Sequence, residues 1–282
     1  MTDSTESSDQ YCARELRQQD SDRWLTTLLA PDRHRPALVA LYAFNAEIAR
    51  AREAVSQPMI GQIRLQWWRE AWQGIAAGTP RQHPVVLALH AHCRGIAGWA
   101  DLQMLIDARE RDMDPAPIAD MDELCRYAES ISAPLMRLAA GLLGVPVDDG
   151  LRRVTDRAGA ASALAGLLRS IPFFAAQQRV YLPADRLAAR GLPPEAIYQQ
   201  GIEAAAREVV AEVAGRAEEL LAGAAQTKLD RSLLPALLPA ALARPYLRSL
   251  RRAGHDPFSP AAAVSPTARH LALLLARWRR RL

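Results

Sequence analysis

Residues 42–53 read Tyr-Ala-Phe-Asn-Ala-Glu-Ile-Ala-Arg-Ala-Arg-Glu, and residues 63–70 read Ile-Arg-Leu-Gln-Trp-Trp-Arg-Glu. Apolar residues recur at helical spacing in the first stretch. Pro58 and Gly61 stand between the two, and both residue types interrupt helices. The sequence therefore predicts two helices joined by a short break, with paired tryptophans on the second.

The composition of the whole chain is typical of an all-α protein. Half of the 282 residues are hydrophobic, strand-forming residues are sparse, and no run alternates polar and apolar residues for long. The 19 prolines stand mostly between apolar segments, where they end helices. We expect a single helical domain over residues 11–282 and a disordered polar tail over residues 1–10.

Capping residues and prolines place the predicted helix ends. The first helix is predicted over residues 11–29. Asp122 is an N-cap candidate for a helix that runs to residue 143. Residues 151–174 are predicted as one long apolar helix.

Charge, cysteine content and hydropathy exclude several classes of protein. The net charge of +4 is too small an excess to predict nucleic-acid binding. Cys12, Cys93 and Cys125 are odd in number and widely spaced, which fits a reducing compartment and predicts no metal site. No signal peptide or spanning run is visible. We expect a cytoplasmic protein and leave open a peripheral attachment to the inner membrane.

Positive charge is concentrated near the C-terminus. An apolar run over residues 271–276 is followed by Arg277, Trp278, Arg279, Arg280 and Arg281. This segment either lies on an anionic membrane surface or is a last bundle helix whose basic end complements the helix dipole. Both interpretations stay open.

Five segments, in the same order along the chain, resemble the squalene/phytoene synthase family. They are residues 42–44, 105–112, 127–145, 167–169 and 179–183. The resemblance covers residues 20–192 and implies an isoprenoid-synthase-type bundle of antiparallel helices around a central cavity. In that family, two aspartate-rich helices hold Mg²⁺ against the substrate diphosphate.

The sequence departs from the family at both aspartate-rich motifs. The first would fall on residues 49–53, Ala-Arg-Ala-Arg-Glu, where only Glu53 is acidic. The second would fall on residues 166–174, Gly-Leu-Leu-Arg-Ser-Ile-Pro-Phe-Phe, where Arg169 is kept and no carboxylate occurs. We therefore expect no catalytic residue, no metal site and no cofactor.

Other segments resemble a non-enzymatic branch of this superfamily, which contains the mitochondrial respiratory complex I assembly factor. They are residues 43–49, 55–56, 60–61, 64–68, 105–112 and 168–172. The resemblance implies a pseudoenzyme that helps to assemble NADH:quinone oxidoreductase, with a complex I subunit or assembly intermediate as partner. The alternatives are a divergent prenyl-diphosphate transferase, which would use Mg²⁺, and an isoprenoid- or lipid-binding protein.

Eleven residues are candidates for lining the cavity or contacting a ligand or partner. They are Tyr42, Asn45, Glu47, Arg50, Glu53, Arg64, Trp68, Asp112, Arg169, Arg179 and Tyr181. Arg50 either binds an anion without a metal, by bidentate hydrogen bonds, or pairs with a nearby glutamate at helical spacing. Adjacent tryptophans point about 100° apart on a helix, so at most one of Trp67 and Trp68 should face the deep core.

Overall fold

The computed structural model describes residues 6–52, 58–94, 98–198, 202–227 and 229–282. Within these ranges every regular element is helical and no strand occurs, which confirms the predicted all-α class. The α-helices of these ranges are α1 Ser8–Gln19, α2 Ser21–Thr27, α3 Arg35–Ala49, α4 Pro58–Ala76, α5 Pro84–Cys93, α6 Trp99–Ala108, α7 Met121–Ser130, α8 Ala133–Leu142, α9 Asp149–Arg169, α10 Ile171–Ala176, α11 Ala184–Ala188, α12 Ala204–Ala225, α13 Leu234–Ala241, α14 Ala243–Arg252 and α15 Pro266–Arg279. Short 3₁₀ turns cover Asp32–His34, Arg109–Met113, Pro194–Tyr198 and Pro260–Ala262.

The first helix begins inside the segment that was predicted as a disordered tail. The Ser7 hydroxyl accepts a hydrogen bond from the Gln10 N–H, and the Gln10 side chain accepts one from the Ser7 N–H. This capping box satisfies two main-chain donors at the start of α1. The prediction of a tail over residues 1–10 is therefore wrong for residues 8–10, and residues 1–5 lie outside the described ranges.

Each of the three long predicted helices is interrupted. Asp20 ends α1 with φ −141° and ψ 73°, and its carboxylate accepts the Arg23 N–H to start α2. Residues 122–143 divide into α7 and α8, and Asp120 is the N-cap of α7. The third helix ends at Arg169, because the ring of Pro172 is not compatible with a helix interior.

The chain folds into two compact units. The first consists of residues 1–114 and 134–147. Its centre is α3, which packs against α1 and α5 and is buried without interruption from Ala37 to Asn45. None of the helices among the described residues is long and apolar enough to cross a membrane.

The second unit consists of residues 115–133 and 148–282 and is organised around α9. This helix packs against α7, α12, α13 and α14. Small residues on α9 allow the close approach, as at Gly159, which lies directly against Ala133. The prediction of one domain over residues 11–282 stays a prediction.

Gly159→Ala should lower the free energy of unfolding by about 1–3 kcal/mol. The added Cβ would lie 2.6 Å from the main-chain nitrogen of Ala133 and 2.7 Å from its Cα, so no flexible side chain can move aside. Gly166→Ala on the same helix is the matched control, since no atom lies within 4 Å of its added Cβ. It should stabilise the protein by about 0.5–1 kcal/mol. Urea unfolding measures both changes, and equal effects would contradict the close contact.

Candidate functional site

Two candidate residues on α3 are buried polar side chains. Tyr42 is 1% exposed and Asn45 is 4% exposed. Neither the Tyr42 hydroxyl nor the Asn45 Oδ1 has a hydrogen-bond partner among the described residues. Burial raises the pKa of Tyr42, and the nearby Arg23 guanidinium opposes this rise. The Tyr42 hydroxyl and the Asn45 Oδ1 are therefore unsatisfied polar atoms on an otherwise apolar helix face, an uncommon arrangement in folded proteins.

Glu47 and Arg64 form an ion pair that joins α3 to α4. The Arg64 Nη2 donates to the Glu47 Oε2 over 3.0 Å, and the side chains of Arg64 and Glu47 are 33% and 12% exposed, respectively. Glu70 on α4 accepts hydrogen bonds from Gln66 and Arg81. Arg50 caps the C-terminal end of α3 and forms no ion pair with a described carboxylate.

Two residues that sequence reasoning missed complete this group. The rings of Tyr11 and His83 meet edge to face with their centroids 6.4 Å apart. Burial raises the pKa of Tyr11 and lowers that of His83, while the Glu47 carboxylate raises both. We call Tyr11, Glu47, Arg64 and His83 the polar cluster. The sequence contains one local indication of the position of His83. Pro84 favours the first position of a helix, which makes His83 the N-cap of α5.

His83→Gln should reduce the loss of stability at acid pH. Burial lowers the pKa of His83 in the folded protein, whereas the imidazole of the unfolded chain titrates at about 6.5. The unfolded state then binds more protons as the pH falls, so the contribution of His83 to stability is present above about pH 6.5 and is lost below it. Urea unfolding at about pH 7.5 and about pH 5.5 should show a smaller difference in the variant. Equal differences would contradict a buried neutral imidazole.

The adjacent tryptophans Trp67 and Trp68 of α4 differ in burial, as predicted. Trp68 is 2% exposed, and its ring meets that of Phe44 edge to face at a centroid distance of 5.1 Å. Trp67 is only partly buried, and the Arg81 guanidinium lies 5.3 Å from its ring centroid. The prediction that at most one of them faces the deep core is confirmed.

The described carboxylates of the first unit do not form a magnesium site. Asp112 is 5% exposed and pairs with Arg109 across 3.5 Å. Among the residues that the structure describes, no three His, Cys, Asp or Glu side chains stand close enough together to hold a metal ion. Glu53 lies outside the described residues. Since Mg²⁺ takes oxygen ligands, the Ala-Arg-Ala-Arg side chains of residues 49–52 are unsuited to it.

Arg179 and Tyr181 come together in an aromatic group of the second unit. Tyr181 stacks on Tyr127 with ring centroids 5.5 Å apart and an interplanar angle of 12°. The Phe174 ring lies 4.7 Å from that of Tyr181, and the Arg179 guanidinium lies 4.9 Å from it. Tyr127 and Phe174 were not candidates, because their contacts with Tyr181 span separate helices and loops.

Arg169 borders a separate cavity of the second unit, with a volume of about 380 Å³. Its guanidinium lies 4.4 Å from the ring centroid of Tyr246 on α14. Ser259 and Arg269 line the same cavity. Two guanidinium groups and a hydroxyl are donors that suit an anionic group.

The comparisons with known proteins identify the scaffold. The model of the family described as squalene/phytoene synthase matches residues 16–277. The chain belongs to the squalene/phytoene synthase family. A crystal structure of a dehydrosqualene synthase in complex with ligand has the same fold, with a TM-score of 0.80 at 16% identity over 96% of this chain and 95% of that one. The isoprenoid-synthase-type fold is therefore confirmed.

Two relatives of this squalene/phytoene synthase family member are named for different functions. The chain is 29% identical to the Bos taurus protein named NADH dehydrogenase (ubiquinone) complex I, assembly factor 6, over 97% of this chain and 83% of that protein. It is 27% identical to a phytoene synthase of Thermus thermophilus, over 92% of this chain and 89% of that enzyme. The family match extends well beyond residues 20–192, to which the sequence resemblance was confined.

Proposed function

We propose that this protein acts as an assembly factor for respiratory complex I and does not transfer prenyl groups. The similarity to assembly factor 6 supports this role, since it runs through 97% of the chain at 29% identity, compared with 92% at 27% identity for the phytoene synthase. The partner would be a subunit or an assembly intermediate of NADH:quinone oxidoreductase.

The assembly role rests on the similarity to assembly factor 6. The observation that carries the absence of prenyl transfer is the ion pair between Glu47 and Arg64. Glu47 is the only carboxylate on α3, the helix on which the family resemblance places the start of the first metal motif. Its Oε2 accepts a hydrogen bond from Arg64 at 3.0 Å. A carboxylate neutralised by a guanidinium is a poor ligand for a cation, and α3 offers no other. Arg50, the C-cap residue of α3, adds a positive charge that attracts anions and repels metal cations.

A gene deletion tests the assembly role. Loss of the protein should lower the amount of assembled complex I on native gels and the NADH:quinone oxidoreductase activity of membranes, and it should leave carotenoids and other isoprenoids unchanged. Re-expression of the intact chain should restore the complex. The reverse pattern, normal complex I with altered isoprenoids, would refute the proposal.

An enzyme assay tests the second half of the proposal. The purified protein should release no diphosphate from farnesyl or geranylgeranyl diphosphate in the presence of Mg²⁺. Turnover that disappears in Arg50→Ala and Arg169→Ala variants would instead identify a divergent prenyltransferase. A lipid that co-purifies with the intact chain, detected by mass spectrometry, would favour a carrier.

A further inference from the structure

The C-terminal part of the second unit carries the excess positive charge of the protein. Residues 231–282 contain ten arginines and one aspartate, a net charge of +9. The whole chain has a net charge of +4, so the 230 residues before this segment have a net charge of −5. Charge separated in this way orients a protein toward an anionic surface.

The helix α15 has two apolar faces. One face is buried in the unit, where α15 packs against α13 and buries Leu273 and Ala276. The other face is open to solvent and consists of large side chains at spacings of three and four residues. These are Leu271, Leu274, Leu275 and Trp278, which are 55%, 56%, 38% and 77% exposed. We call these four side chains the apolar stripe.

A groove between α14 and α15 lies beside the stripe and has a volume of about 510 Å³. Its lining includes Leu271 and Leu275 of the stripe. Four arginines border it, namely Arg244, Arg248, Arg279 and Arg281. Arg244 donates to the main-chain oxygen of Leu282 over 3.0 Å. No carboxylate of the described residues pairs with the other three.

This combination matches the chemistry of a phospholipid surface. Guanidinium groups bind phosphate by charge-assisted hydrogen bonds, and leucines at helical spacing enter the acyl region beneath the headgroups. Trp278 stands at the arginine-rich end of the stripe, and tryptophan favours the boundary between headgroups and acyl chains. No acidic residue occurs from residue 257 to residue 282, so nothing on α15 would repel an anionic headgroup.

We propose that α14 and α15 form a docking surface for a membrane that contains anionic phospholipids. The apolar stripe lies among the acyl chains, and the arginines of the groove contact lipid phosphates. The surface contains no residue of the polar cluster, so the docking proposal does not depend on the assembly role.

Vesicle flotation tests the charge requirement. The intact protein should bind vesicles of phosphatidylcholine mixed with phosphatidylglycerol, should not bind phosphatidylcholine alone, and should be released by high salt. The triple variant Arg248→Gln/Arg279→Gln/Arg281→Gln should bind the mixed vesicles on the order of 100-fold more weakly, since each arginine contributes to the attraction. The matched control is Arg126→Gln/Arg152→Gln/Arg153→Gln, which removes three exposed arginines from α7 and α9 of the same unit.

The control variant should bind within a few-fold of the intact protein. An equal loss in both variants would show that only net charge matters and would overturn the proposal. Absence of binding to either kind of vesicle would also overturn it and would leave the stripe to a protein partner. Circular dichroism and thermal unfolding check that the variants are folded.

Brominated acyl chains test the depth of the stripe. Trp278 is the only tryptophan after residue 99, and its ring is 77% exposed. Mixed vesicles with brominated chains should quench part of the tryptophan fluorescence of the intact protein. Trp278→Phe should keep vesicle binding and lose this quenching. Quenching of the same size in the variant would contradict insertion of α15.

Discussion

Trp68→Ala should lower the free energy of unfolding by about 3–5 kcal/mol, the usual cost of removing a buried aromatic side chain. The Trp68 ring is 2% exposed and lies edge to face against Phe44, Trp67 and His83, at centroid distances of 5.1, 5.0 and 5.6 Å. Its removal would leave a cavity at the centre of the first unit that these rings cannot fill without leaving their own positions. Urea unfolding followed by far-ultraviolet circular dichroism measures the change.

Trp67→Ala provides the matched control for that measurement. It removes the same side chain from the adjacent position of the same helix, but Trp67 is only partly buried and its ring faces the Arg81 guanidinium. We expect a cost of roughly 1–2 kcal/mol, near the centre of the range for ordinary substitutions. If the two variants were equally destabilised, burial would not distinguish the two tryptophans.

Arg137→Met should destabilise the first unit by about 3–5 kcal/mol. The Arg137 Nη2 and Nε lie 2.7 and 2.8 Å from the Asp101 Oδ1, and the side chains of Arg137 and Asp101 are only 6% and 10% exposed. The substitution would leave the Asp101 carboxylate buried without its cation, and the cost arises from that uncompensated charge. Denaturant unfolding at neutral pH gives the magnitude.

Two further variants separate this explanation from a loss of packing. Asp101→Leu/Arg137→Met removes both charges and should recover most of the lost stability, because buried pairs replaced by apolar side chains are often neutral. Arg251→Met breaks an exposed pair with Glu218 and should change stability by about 1 kcal/mol or less. A double variant as unstable as Arg137→Met would mean that the volume of the arginine matters more than its charge.

The local features of the chain could be predicted from its sequence. Composition and the absence of alternating runs predicted the all-α class, and the angle between adjacent residues predicted the different burial of Trp67 and Trp68. The break at Asp20 is also a local feature, since an aspartate is a favoured N-cap, yet the apolar residues on both sides made one helix the simpler prediction. Pro172 is likewise a local helix-breaking residue, yet the apolar residues around it made one helix the simpler prediction.

The partners of the buried charges could not be predicted, because they depend on which helices pack together. Asp101 and Arg137 are 36 residues apart in sequence, and nothing in either segment indicates the other. His83 contacts the Tyr11 ring and is affected by the charge of Glu47, and the three residues lie on separate elements. Its place beside the candidate residues is therefore visible only in the folded chain. The candidates that shared a helix were easier to group than those that meet across helices.

The ion pair between Glu47 and Arg64 also bears on how readily this scaffold could be redesigned. Aspartates introduced at residues 49–52 would stand at and just beyond the end of α3, a helix whose one carboxylate is already paired with Arg64 on α4. New carboxylates would compete with Glu47 for that same guanidinium before they could recruit a divalent ion. A metal site engineered at residues 49–52 would therefore have to start with a substitution of Arg64 on α4, one helix away from the new carboxylates.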